Sequence, residues 1–251
     1  MDYAQIAIDS FWWIAQTLAL TAIFFSLGIF LLVQCTHWGK QFWMFAGGYL
    51  SPKRSIKPLL FFLLIVAMTL VSVRISLVHS EWYKNMYTSL QDFNQPVFWQ
   101  QMGLFCVIAT CAVTTALISY YLEQRFSIDW IEWLNDQMVD KWIDNRAYYK
   151  TQYVSANFDN PDQRIQQDVQ SYVKTTLSLA TGVIDAVTSM ISYTILLWGL
   201  AGPMLVLGHE IPRMMVFLVF AYVLLTTVIA FRLGRPLIML NFANERLNAN
   251  Y

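Results

Sequence analysis

Apolar residues run almost without interruption over 11–34, 59–79, 97–122, 175–200 and 213–233. Each run is long enough for a helix to cross a hydrocarbon core about 30 Å thick. The pattern predicts an all-α integral membrane protein with about five transmembrane helices. On one side of the bilayer the helical pattern does not stop with the apolar run. From Glu123 to Tyr149 there is no Gly or Pro, and Asp129, Glu132, Asp136, Asp140 and Asp144 recur at spacings of three and four. That spacing makes one face acidic. Phe126, Trp130, Trp133, Leu134 and Trp142 fall on another face, as in an extension packed on a neighbouring helix.

A second extension enters the next span from the opposite direction. Asn160 suits an N-cap, Pro161 suits the first helical position, and Asp162 puts negative charge at the positive end of the helix dipole. The apolar stripe Ile165, Val169, Tyr172, Thr176, Leu179 and Val183 then leads into residues 175–200. A helix over 161–200 would be roughly 60 Å long, about twice the hydrocarbon thickness. Residues 123–174 therefore read as a hairpin of long helices outside the membrane, with its tip at 150–160.

The connecting segments divide the chain. Between Cys35 and Lys57, the basic residues His37, Lys40, Lys53, Arg54 and Lys57 interleave with Trp38, Phe42, Trp43 and Phe45, which predicts a helix in the membrane interface. Residues 1–57 form a leading span plus this elbow, and 58–251 form the main bundle. Gly202-Pro203 and Ile211-Pro212 separate the last two spans, and beyond Gly234-Arg235-Pro236 the chain reads on as helix to Tyr251.

Composition narrows the function. Of the residues, 57% are hydrophobic and only 13% charged, with 16 basic against 16 acidic side chains, so there is no electrostatic footprint for nucleic acid. Cys35, Cys106 and Cys111 lack metal-ligand spacing and read as packing residues. No His-Glu-x-x-His, nucleophile elbow or cysteine pair occurs, so neither a catalytic constellation nor a metal site is predicted. Placing the N-terminus outside leaves only Lys84 and Arg213 on the outer side, with the other flanking basic residues inside. The expected location is a bacterial inner membrane, with the C-terminus and the 123–174 hairpin in the cytoplasm.

Two ionisable residues fall within spans. Arg74 lies toward the outer end of 59–79 and Asp185 near the middle of 175–200. Each costs about 2.5–3.5 kcal/mol at a helix centre on insertion scales, so each is expected to face the bundle interior or a water-filled cavity. Both are candidate substrate or proton contacts. The plainer readings are snorkelling to headgroups for Arg74 and an interhelical bond to Ser, Thr or Tyr for Asp185. His79 and His209 read as interface residues.

The run Asn160-Pro161-Asp162-Gln163-Arg164-Ile165, with Asp168 after it, resembles the corresponding intracellular motif of ABC half-transporters of the ABCD and YddA-like type. The SbmA/BacA peptide importers carry a reduced version. The leading span, the Ser51-Pro52-Lys53-Arg54 elbow and Asn244-Glu245-Arg246-Leu247-Asn248-Ala249 extend the likeness. The resemblance implies a homodimeric bundle of the ABC-exporter (type IV) kind, with six core spans per subunit and an ATPase that binds ATP and Mg. Asn160, Pro161, Asp162, Gln163, Arg164 and Asp168 would then shape the hairpin that meets the ATPase. The plainer reading is a helix cap at Asn160 and Pro161, with an Arg164–Asp168 pair worth about 0.2–0.5 kcal/mol.

No Gly-x-x-x-x-Gly-Lys-Ser/Thr phosphate loop occurs in the chain, so it is not expected to act as an ATPase by itself. It reads as a truncated product, or as a part whose partner is encoded separately. Three functions stay open: the membrane part of an ATP-driven transporter, a proton-driven SbmA/BacA-like peptide importer, and a non-transporting membrane protein. Acyl chains, hydrophobic peptides and corrinoids all suit so apolar a bundle, and the direction of transport is not set.

Overall fold

The computed structural model describes residues 3–51, 55–144, 161–206 and 209–248. In chain order they form α1 (Tyr3–Cys35), α2 (His37–Leu50), α3 (Lys57–Gln91), α4 (Gln95–Ile143), α5 (Pro161–Leu200), β1 (Met204–Val206), β2 (His209–Ile211) and α6 (Met214–Asn248). Five of these helices are long and apolar enough to cross a membrane: α1, α3, α4, α5 and α6. Most of their apolar surface is exposed in the isolated chain, as a lipid-facing bundle requires.

The chain divides into two compact units, 1–189 and 190–251. In the first, α3 and α4 pack together along their lengths, and α1 packs on both α2 and α3. The α1–α2 junction is a cap. Thr36 Oγ1 accepts from the Gly39 N–H at 2.9 Å while donating to the Leu32 carbonyl at 2.6 Å. An added Cβ at Gly39 would overlap that same Leu32 carbonyl, so this tight turn admits no side chain. At the far end of α3, Phe93 takes a left-handed φ of 50°. The Asn94 N–H bonds to the Ser89 carbonyl (2.9 Å) and the Phe93 N–H to the Leu90 carbonyl (3.2 Å). This is a Schellman closure with a non-glycine residue at the strained position. Asn94 then caps α4 by accepting from the Val97 N–H at 3.3 Å.

In the second unit, 202–213 hold more than the expected turn. Met204 pairs with Ile211 and Val206 with His209 in an antiparallel ribbon, and Arg213, at φ 57°, lies over the Trp198 ring with its guanidinium carbon 4.6 Å from the centroid. α6 passes through Pro236 without ending.

The structure bears on three expectations. α4 runs to Ile143, with Asp144 extended (φ −62°, ψ 145°); the rest of the expected helix to Tyr149 lies outside the described residues. Within the apolar stripe Val169 is buried, whereas Leu179 and Val183 are 61% and 54% exposed; α5 also buries Val173, Leu177 and Ile184. Lipid accepts apolar side chains as readily as a core does, so hydrophobicity stops marking the buried face once a helix enters the membrane. Cys35, Cys106 and Cys111, which read as packing residues, are free thiols exposed in the isolated chain.

Candidate functional site

The extensions of α4 and α5 are held together by α2. Phe126, Trp130 and Leu134 of α4 and Val169, Val173 and Leu177 of α5 share one buried cluster with Ala46 and Tyr49 of α2 and Ile65 of α3. Tyr49 stacks on Trp130 with centroids 5.4 Å apart and planes 5° apart, and meets Phe126 edge-on at 5.7 Å. Tyr172 of α5 lies edge-to-face with Trp130 at 6.2 Å, and its hydroxyl donates to the Phe42 carbonyl of α2 at 3.1 Å. Gly48 lets Trp133 approach α2 closely, because an added Cβ would sit 2.8 Å from the indole. The acidic face of α4 points the other way: Glu132, Asp136 and Asp140 are exposed, and Asp129 takes an i,i+4 contact from Arg125 at 3.5 Å. Thus the elbow predicted to lie on the membrane surface also clamps two helices. The aromatic interleaving of 38–49 was its signal in the sequence, although it did not say which helices the rings would meet.

The hairpin motif is only partly described. Asn160 lies outside the described residues, as does the whole tip at 150–160. Pro161, Asp162, Gln163 and Arg164 form the first turn of α5, and the Arg164–Asp168 pairing falls outside the described side chains. Asp168 is exposed, one turn before the buried cluster's last ring, Tyr172.

Arg74 and Asp185 are not brought together. Arg74 is half-buried in a cavity of about 860 Å³ between α1, α3 and α4. Its Nε donates to Ser10 Oγ at 3.1 Å, and its guanidinium carbon lies 5.6 Å from the centroid of the Trp13 ring. Ser10 in turn donates to the Ile6 carbonyl at 2.6 Å. Sequence reasoning passed over Ser10, since a lone serine near a helix start carries no signal of its own. Asp185 lies on the exposed face of α5, in line with Ser171, Thr175, Ser178 and Gly182, which are also exposed. Spacings of three and four put these small and polar residues on one face, opposite buried Val173, Leu177 and Ile184. His79 stacks on Trp82 at 5.4 Å and 9°, and Trp82 Nε1 donates to the Gln101 carbonyl at 2.8 Å. Among the described residues no cluster of His, Cys, Asp and Glu is placed to hold a metal ion.

Comparison with known proteins agrees with this architecture. The family described as ABC transporter transmembrane region 2 matches residues 46–251, so the match begins within α2 and leaves α1 ahead of it. Two uncharacterized ABC transporter ATP-binding proteins of Haemophilus influenzae are 81% and 35% identical over all 251 residues. The chain spans 42% of the length of each. The inner membrane ABC transporter ATP-binding protein YddA of Escherichia coli is 29% identical over 218 residues, 84% of this chain and 38% of that protein. With its five apolar helices and this match, the chain is a multi-pass membrane protein that belongs to the ABC transporter transmembrane region 2 family.

Proposed function

We propose that the chain is the membrane-spanning part of an ATP-driven transporter that moves a hydrophobic or amphipathic solute by alternating access. The observation that carries this reading is the clamp. α4 and α5 leave their apolar segments without a break and are fixed to each other and to α2 by one aromatic cluster. Helices so joined move as a rigid body, which is what transmits displacement from a motor to a bundle. The 123–174 hairpin couples to an ATPase domain, in cis or in trans, that holds ATP and Mg; the chain itself is not an enzyme. Two copies form the transporter, in a bacterial inner membrane, with the N-terminus outside and the hairpin in the cytoplasm. The excess of basic residues on the hairpin side supports that orientation. Vesicles holding the chain together with its ATPase test it: uptake of a hydrophobic dye or peptide should require Mg-ATP and persist without a proton gradient.

A proton-driven, SbmA/BacA-like mechanism is the second reading, favoured by Asp185. A carboxylate midway along a span, on an exposed face lined by small polar residues, suits a water-filled path between two copies. In that case a protonophore abolishes uptake, ATP depletion does not, and Asp185→Asn is inactive.

A further inference from the structure

We propose that the cavity bounded by α1, α3 and α4 seats one zwitterionic aminophospholipid, its phosphate on Arg74 and its ammonium on Glu81. The inference stands apart from the direction and energy source of transport, because it concerns the seam between α1 and the rest of the bundle. Among the described residues no carboxylate lies within ion-pair distance of Arg74, which has only the Ser10 hydroxyl and the Trp13 ring for partners. A guanidinium with most of its donors unused in an apolar wall calls for an anion, and its fork matches a phosphate's oxygens. The volume, about 860 Å³, is at the upper end of the roughly 300–1,000 Å³ of small-ligand sites.

The lining gives the polarity of the occupant. Ile6, Val71, Ile75, Leu104 and Val107 offer a wall for an acyl chain, while Ser10, Gln100 and Thr115 are neutral. Glu81 is the cavity's other charged residue. It follows Arg74 by seven residues on α3, so it sits on the same face about 10 Å further along the axis. Counting from Leu59, Arg74 is roughly 22 Å into a hydrocarbon core of about 30 Å, and Glu81 is at its edge. A cation about 8 Å below the boundary and an anion at the boundary set the phosphate deeper than the amine, the order of an ethanolamine headgroup drawn into the seam. Half-buried Trp13 on α1 lies beside Arg74, its ring centroid 5.6 Å from the guanidinium carbon.

The test is native mass spectrometry of the full chain released from nanodiscs of mixed phosphatidylethanolamine and phosphatidylglycerol. The wild type should retain one phospholipid per chain, with phosphatidylethanolamine several-fold over phosphatidylglycerol. Arg74→Gln should lose both, while Arg74→Lys, which keeps the charge, should retain part of the lipid and so separate loss of the site from loss of folding. Glu81→Gln should keep a lipid but lose the preference. Gly103→Leu, which fills open space in the cavity wall with both charges intact, should also shed the lipid. Wild-type lipid content in Arg74→Gln overturns the proposal. So does equal retention of phosphate-free diacylglycerol, or displacement of the bound lipid by inorganic phosphate, which would mark a simple anion site.

Discussion

Tyr49 and Trp130 lie face to face, 5.4 Å apart and within 5° of parallel, and through this contact the short helix α2 grips the extension of α4. Trp130 is 2% exposed and also meets Tyr172 of α5, so one indole touches both clamped partners. Its Nε1, however, is buried without an acceptor among the described residues.

That combination separates two substitutions. Trp130→Ala removes the whole ring from a closed cluster and should cost about 3–5 kcal/mol. Trp130→Phe keeps an aromatic face and deletes an unsatisfied donor, whose burial costs about 1–3 kcal/mol, so it should be nearly neutral. Thermal unfolding in mild detergent reads both, with Trp12→Ala, at 60% exposure, as a control that leaves the midpoint unchanged.

Tyr172→Phe removes the hydroxyl that bonds to α2, together with its side-chain contact to Thr176. The hydroxyl spans the clamp to the Phe42 carbonyl at 3.1 Å. Removing it should cost about 1 kcal/mol while leaving the ring contacts in place. Hydrogen exchange should report the loss as faster opening of α2 than of α3.

Glycines within α1 and α2 give substitutions of opposite outcome. Gly39→Ala drives a methyl into the Leu32 carbonyl and should destabilise the elbow by about 1–3 kcal/mol. Gly28, with open space around it, should accept Ala with a gain of about 0.5–1 kcal/mol from helix propensity. Paired melting curves of the two variants check the contrast.

Phe93 is 94% exposed and holds a left-handed backbone, so its side chain adds no packing against the chain to offset the strain. Phe93→Gly should raise stability by about 1 kcal/mol, the order of the left-handed penalty for an L-residue. Phe93→Val should lower it. A fall in the unfolding midpoint of the glycine variant would show instead that the ring anchors the turn in the membrane interface.

Much of this was legible in the chain, and what was not has a common cause. The block pattern of apolar residues marked five spans, and the clamp's rings on α4 were visible because outside the membrane a helix must hide its apolar face. Phe126, Trp130 and Leu134 therefore stood out against Glu132, Asp136 and Asp140. Inside the membrane that contrast fades, and the apolar stripe did not tell exposed Leu179 and Val183 from buried Val169, or point to buried Val173 and Ile184. Arg74 was legible as a charge that needs a cavity, but its partner Ser10 lies 64 residues away on α1 and only packing reveals it. The ribbon at 204–211 was hidden by its proline and glycine flanks, which read simply as a turn.

The central claim is that the α4 and α5 extensions are one clamped body on the cytoplasmic side. Asp136, exposed on the α4 extension, allows the most direct measurement. In a chain with Cys35, Cys106 and Cys111 replaced by Ser, Asp136→Cys is treated with a membrane-impermeant maleimide. The account predicts labelling in inside-out vesicles and none in right-side-out ones; labelling from the outer side, or from neither, contradicts it.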